Sequence, residues 1–319
     1  MRRLLMVGFV PCGLFVTCLW VLVRAGSFAG RSDWARVIPG DLSGQVGSLL
    51  ALTACTSVLA LLLQPFQVRA VRVLEGYWDR WPVTARMAGV LVEMQRRRRQ
   101  QLSERAKAGA RSGANARRVE ADAFRRLVAG PPEDVLLPTM LGNALRAGEV
   151  SAGERYGLTT LSSWPQIHMQ VSERMSQVLH SARNALDISV NLCWSFLASG
   201  AVAAPALYDE PVARWAPLVA GVLAAVAYKG AVTAAQAYSG LMHVAYDLYR
   251  FDLLEALHHP LPDKENEVDV FWHLSEFLAG QRESGLPYVH EGRAAGRREP
   301  CVSSRGESGT DDTDGPADT

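Results

Sequence analysis

No Walker-type loop, Rossmann glycine pattern, HExxH, GxSxG or zinc spacing occurs in these 319 residues. The common phosphate-transfer, dinucleotide, metalloprotease and hydrolase chemistries therefore lack their sequence carriers. Cysteine is sparse. Cys12, Cys18, Cys55, Cys193 and Cys301 include no CxxC and have no accompanying histidine set, so neither a redox motif nor a metal centre is expected. Four of the five lie in apolar stretches, where a thiol serves as a small packing group. Lysine is scarcer still, with 3 residues against 30 arginines, a bias that suits a GC-rich genome. The net charge of +1 excludes a chain that is basic or acidic as a whole, so only the distribution of charge informs. No catalytic residue, cofactor or metal ligand is assigned, and an enzyme is left without support.

What the chain has in abundance is uncharged length. Apolar residues gather in four blocks with charges between and after them, the pattern of an all-α integral membrane protein. Leu4 to Val23 and Ile188 to Leu207 are each 20 residues without a charge, about the length a helix needs to cross a hydrocarbon core of ~30 Å. Val46 to Phe66 is a further uncharged run, closed by Gln64-Pro65, and Trp215 to Tyr238 carries one charge, Lys229. The break Tyr208-Asp209-Glu210-Pro211 makes residues 187–238 a transmembrane hairpin, paired with an N-terminal transmembrane unit over 1–66. Small residues on both arms (Ser195, Ser199 and Gly200; Gly221, Ala224 and Ala225) suit close helix contact, within one chain or between copies. The first run competes with a signal peptide, whose apolar centre is usually about 7 to 15 residues, so its length favours a retained anchor.

Charge sets the threading, because arginine and lysine concentrate on the cytoplasmic side of bacterial membrane proteins. With both termini inside the cell membrane, the outer loops hold only Arg24, Arg31, Arg36 and Arg214, while 28 of the 33 basic residues lie inside. Reversal would export residues 67–186 with 19 basic and 11 acidic side chains. In that cytoplasmic region Val83, Met87, Val90, Leu91 and Met94 predict an amphipathic helix running into Arg96-Arg97-Arg98-Arg99. Gly130-Pro131-Pro132 stops a second helix. The arginine run reads as a solvated helix face or as a contact with anionic lipid. Nucleic acid is the least favoured reading, since no aromatic residues interleave and no reading module is present.

Leu137-Pro138-Thr139-Met140-Leu141-Gly142-Asn143-Ala144-Leu145-Arg146-Ala147, Arg155-Tyr156-Gly157-Leu158, Trp164-Pro165 and Tyr246-Asp247-Leu248-Tyr249-Arg250-Phe251 follow one another in order. Together with Leu74-Glu75-Gly76-Tyr77-Trp78 they resemble an uncharacterised family of bacterial multi-pass membrane proteins. The resemblance covers roughly residues 73–261 and implies the topology, with no activity attached. In physical terms Pro138-Thr139 predicts a helix start, ended by Gly148 or Gly153. Tyr156 and Trp164 beside turns suit either a re-entrant or interfacial element or a soluble segment packed on cytoplasmic helices.

Lys229 is the one charge at membrane depth, and such residues are functional candidates by default. It lies as far from the turn as Asn191 on the other arm, so a polar cluster with Asn191 or Asp187 is one expectation; snorkelling to the inner interface is the other. Beyond the hairpin, 239–279 predicts cytoplasmic helices. Asp247 there can reach His243 and Arg250 on one helix face, a stabilising arrangement without a nearby nucleophile for catalysis. His258-His259 reads as a helix end. From Gly280 to Thr319 composition predicts disorder. Two functions follow: a membrane-anchored interaction or scaffold protein, oligomeric or with a protein partner and touching membrane lipids; or a small channel or transporter subunit with a polar path at Asn191 and Lys229.

Overall fold

The computed structural model describes residues 5–78, 82–108, 114–281 and 285–289. In chain order the helices are α1 (Val10–Arg24), α2 (Leu42–Leu63), α3 (Gln67–Glu75), α4 (Pro82–Ala108), α5 (Ala114–Val128), α6 (Met140–Ala152), α7 (Thr160–Gln170), α8 (Glu173–Ala206), α9 (Ala216–Ala256) and α10 (Glu267–Leu278). No strand occurs among the described residues. Four segments are long and apolar enough to cross a membrane: Val7–Arg24, Leu42–Glu75, Glu173–Ala206 and Ala213–Ala256.

Local chemistry places the helix ends. Asp41 and Thr139 stand before α2 and α6 in extended backbone and accept the amide protons of Gly44 and Gly142, the usual way to satisfy an orphan first-turn donor. Pro11 falls in the first turn of α1, where its missing N–H costs nothing. Gly76 ends α3 at φ 99°, a left-handed conformation that a side chain would resist. A π-helical turn, Leu5–Phe9, precedes α1.

The long antiparallel pair α8–α9 is the frame on which the rest packs. With 34 and 41 residues these helices run about 51 and 61 Å, well beyond a ~30 Å hydrocarbon layer. The surplus lies at the start of α8 and the end of α9. The polar start of α8, from Glu173, is thus continuous with the apolar arm. At the closed end of the pair a Cβ on Gly200 would meet that of Ala220 at 3.2 Å, so the arms do approach closely there. α1 packs on α8 at this end through Leu22, Ala203, Ala206 and Leu207, and α2 lies outside α1 with little buried surface.

Two further cores lie along α9. Val71, Leu141, Ala144, Leu186, Val190, Ala231, Val232 and Ala235 join α3, α6, α8 and α9. Further along, Leu158, Ile167, Met242, Tyr246, Leu253, Leu254, Phe271 and Leu274 join α7, α9 and α10 into a fully buried cluster. The predicted disordered tail needs one correction. Residues 285–289 dock on the corner after α9, where Val289 N–H donates to the His258 carbonyl at 2.7 Å and Tyr288 stacks on His259 at 4.9 Å. Composition overlooked this because one aromatic ring, one backbone bond and the His259 ring nitrogen on the Pro287 carbonyl suffice to hold so short a segment. Residues 290–319 lie outside the described residues.

Candidate functional site

The motif segment is an internal dock. Thr139 Oγ1 donates to the Glu75 carbonyl at 2.7 Å while accepting from Gly142 N at 3.0 Å. Asn143 brackets the chain just upstream: its Oδ1 accepts from Leu137 N at 2.7 Å and its Nδ2 donates to Leu137 O at 2.9 Å. A Cβ on Gly142 would sit 2.1 Å from the Glu75 oxygen, and one on Gly148 would sit 2.3 Å from Ser239 Oγ. Glycine at these positions lets α6 press against α3 and α9. Of the two glycines expected to end this helix, Gly153 is the one that caps α6, which runs through Gly148 to Ala152. Ser239 donates to Ala144 O at 2.9 Å, and Leu141 N donates to Tyr228 Oη at 3.2 Å, fixing α6 along α9. Arg146 binds Glu149 and Glu154, each at 2.9 Å. Burial opposes its charge, but the bond to Glu149 and the negative charges of both carboxylates outweigh it and push the pKa up.

Trp164 stacks on Tyr246 at 6.0 Å and meets Tyr238 edge-on at 6.4 Å. Tyr246, fully buried, hydrogen-bonds Ser163 at 2.9 Å. Trp164 is thus packed on α9 through two aromatic rings.

A polar cluster sits beside that core. Two guanidinium groups lie against the Tyr156 ring, Arg155 at 4.6 Å and Arg250 at 4.3 Å, and Arg250 also covers Phe251 at 4.3 Å. Tyr156 donates to Asp247 at 2.6 Å, Arg155 pairs with Asp247 at 3.0 Å, and Arg250 pairs with Glu267 at 2.8 Å. His243 reaches the Ser151 carbonyl through Nδ1 at 2.8 Å and Asp247 through Nε2 at 3.4 Å. The i, i+4 pair was legible in sequence; Arg155 and Tyr156, which join it from about 90 residues upstream, were not. Burial, and then the bond to Asp247, raise the Tyr156 pKa.

The candidate intramembrane residues go separate ways. Asn191 Nδ2 donates to Val7 O at 2.7 Å, in the π turn before α1. Asp187 is buried and pairs with Arg183 at 3.3 Å. Lys229 is exposed on the outer surface of the helix pair. Asn191 and Asp187, expected to cluster with Lys229, are thus engaged by the π-turn carbonyl and by Arg183, while Lys229 lies on an exposed face. The arginine run fans around α4. Arg96 and Arg97 bind Glu93 at 3.1 and 3.2 Å, Arg98 donates to Met140 Sδ at 3.2 Å, and Arg99 donates to the Leu127 carbonyl at 3.2 Å.

Beside the run, Val83, Met87, Val90 and Met94 are all exposed. α4 and α5 pack on each other rather than on the rest of the bundle, with Ala88 and Ala123 buried. Among the described residues no group of three histidine, cysteine or acidic side chains is placed to hold a metal ion. No family model matches the chain, and neither a curated protein nor a solved structure matches it.

Proposed function

We propose that this chain is a four-span protein of the bacterial cell membrane, with both ends cytoplasmic, and that it works by interaction rather than catalysis. It holds the basic α4–α5 hairpin against the anionic inner leaflet and presents the α6–α7–α10 platform to protein partners. One observation carries the reading: the exposed stripe Val83, Met87, Val90 and Met94, on the helix that bears Arg96 to Arg99. An apolar stripe beside arginines is the make-up of a helix lying in a membrane interface. Each basic residue near the leaflet gains about 1 kcal/mol from its surface potential.

Reach supports the same placement. Six residues lie between Glu75 and Pro82, a tether of at most about 25 Å. The polar platform begins where α6 meets Tyr228, beside exposed Lys229, whose ammonium then snorkels at the inner boundary. The family resemblance carried by Pro138 to Ala147 and Arg155 to Leu158 adds support for this threading. A channel reading gains nothing from the geometry, since Asn191 turns toward α1 and Lys229 faces outward.

The test places a nitroxide at Val90→Cys in the full chain, with native cysteines replaced by alanine, in lipid nanodiscs. With anionic lipid the label should collide with oxygen more than with a water-soluble nickel chelate. Substituting Arg96 to Arg99 with glutamine should reverse that preference. A label that stays water-exposed in anionic discs defeats the reading.

A further inference from the structure

Between α1, α2 and α8 lies a cavity of about 1010 Å³, at the top of the usual range for ligand sites. Its walls are apolar: Phe9 from the π turn and Phe15 from α1, Leu61 from α2 and Phe66 from the turn after it, Trp194 and Ala198 from α8. Three features of the chain keep it open. The π turn at Leu5–Phe9 swings the start of α1 aside, and Asn191 holds that turn by its Val7 carbonyl. Trp194 is fixed by an indole bond to the Ala70 carbonyl at 3.2 Å. α2 packs mainly on α1 and stands off from α8, leaving the space between them.

We propose that this cavity is a binding site for an anionic phospholipid of the inner leaflet, its acyl chains between α1, α2 and α8 and its head group at Arg69. The inference rests on the four-span threading, which puts the start of α1 and the end of α2 at the cytoplasmic side. At that depth water has too few polar partners to fill an apolar space of this size. The surrounding chains are the available filling. A lipid tail is already in an apolar medium, so transfer into the cavity contributes little by itself. Selectivity must come from the mouth. There Gln64 and Gln67 line the cavity, and exposed Arg69 lies 5.8 Å from the ring of lining residue Phe66. An arginine at the leaflet surface favours a negative head group over a neutral one by about fivefold.

Trp194 supplies the readout, because brominated acyl chains quench an indole they touch. The full chain is reconstituted in phosphatidylcholine with rising fractions of brominated phosphatidylglycerol or brominated phosphatidylcholine. Subtracting the Trp194→Phe signal isolates Trp194. The expected result is saturable quenching, reached at about fivefold lower fraction of the anionic lipid. Arg69→Gln should merge the two curves, and Ala198→Phe should lower the extent of quenching. Trp194 quenching that rises in proportion to total brominated lipid, alike for both head groups, overturns the proposal. So does a Trp194 shielded from both lipids, as a second copy covering the cavity would produce. Failure of the first span to enter the bilayer would show separately, because the Trp20 signal, isolated in the same way with Trp20→Phe, would then escape quenching by bulk brominated lipid; reversed threading would show instead in labelling of Ile38→Cys and Glu104→Cys from the two sides of the membrane.

Discussion

Gly142 and Gly221 are both helical glycines in a protein rich in small residues, yet they answer to different constraints. A methyl on Gly142 would fall 2.1 Å from a backbone oxygen of α3, which has no rotamer to yield, whereas nothing lies within 4 Å at Gly221. Gly142→Ala should therefore cost about 1–3 kcal/mol, the usual range for overpacking. Gly221→Ala should stay within about 0.5 kcal/mol. Thermal unfolding of both variants in one detergent makes the comparison, and equal Tm values would refute the close approach of α6 to α3. Tyr156 gives a pH-dependent counterpart. Its pKa is raised in the folded chain, by burial and then by the bond to Asp247, above the ordinary 10.0. The unfolded chain thus loses the phenolic proton first as pH rises. The contribution is complete below pH 10 and is lost as pH climbs through the folded value. Tyr156→Phe should flatten that alkaline part of the stability curve and lower stability by about 1 kcal/mol at neutral pH. An unchanged alkaline slope would show that the phenol is not clamped.

Among the helices, the α4–α5 hairpin has the least holding it. Its partners are chiefly each other, and its ties to the rest of the chain include the Thr84 hydroxyl on the Trp78 carbonyl and Arg98 on the Met140 sulfur. Elements with few buried contacts open first. Amide exchange in neutral nanodiscs should be faster across α4 and α5 than across α6, α7 and the end of α9, and anionic lipid should slow α4 selectively. Uniform slowing, or none, would detach the hairpin from the leaflet. The stripe on α4 was legible because its residues recur with helical period, but period reports a face and not what the face meets. The same limit hid the dock. Gly148 looked like a helix breaker because nothing in sequence shows that Ser239 would press against it from 91 residues away. Thr139 as a cap could be read locally, whereas its second bond, to the Glu75 carbonyl, depends on a neighbour that only the fold brings near.

For the molecule as a whole, the four apolar helices were the easiest thing to see, since charge-free length needs no partner to be recognised. The helix bundle around the far half of α9 was harder, because its core mixes tyrosines and a tryptophan with leucines. The direction of threading rests on arginine placement, and it makes opposed claims about two exposed positions. Ile38, 74% exposed in the loop between α1 and α2, belongs outside, and Glu104, exposed near the end of α4, belongs inside. With native cysteines replaced by alanine, Ile38→Cys should react with an impermeant maleimide on intact cells stripped of any outer barrier. Glu104→Cys should react only after the cell membrane is opened. The reverse pattern would move the arginine-rich hairpin to the outer face, where no cytoplasmic leaflet potential acts on it. Labelling of both sites from outside would mean that α1 or α2 does not cross. In either event the lipid contact of α4 and the inner-leaflet cavity would lose their common footing, because both place the end of α2 and the start of α4 at one membrane face.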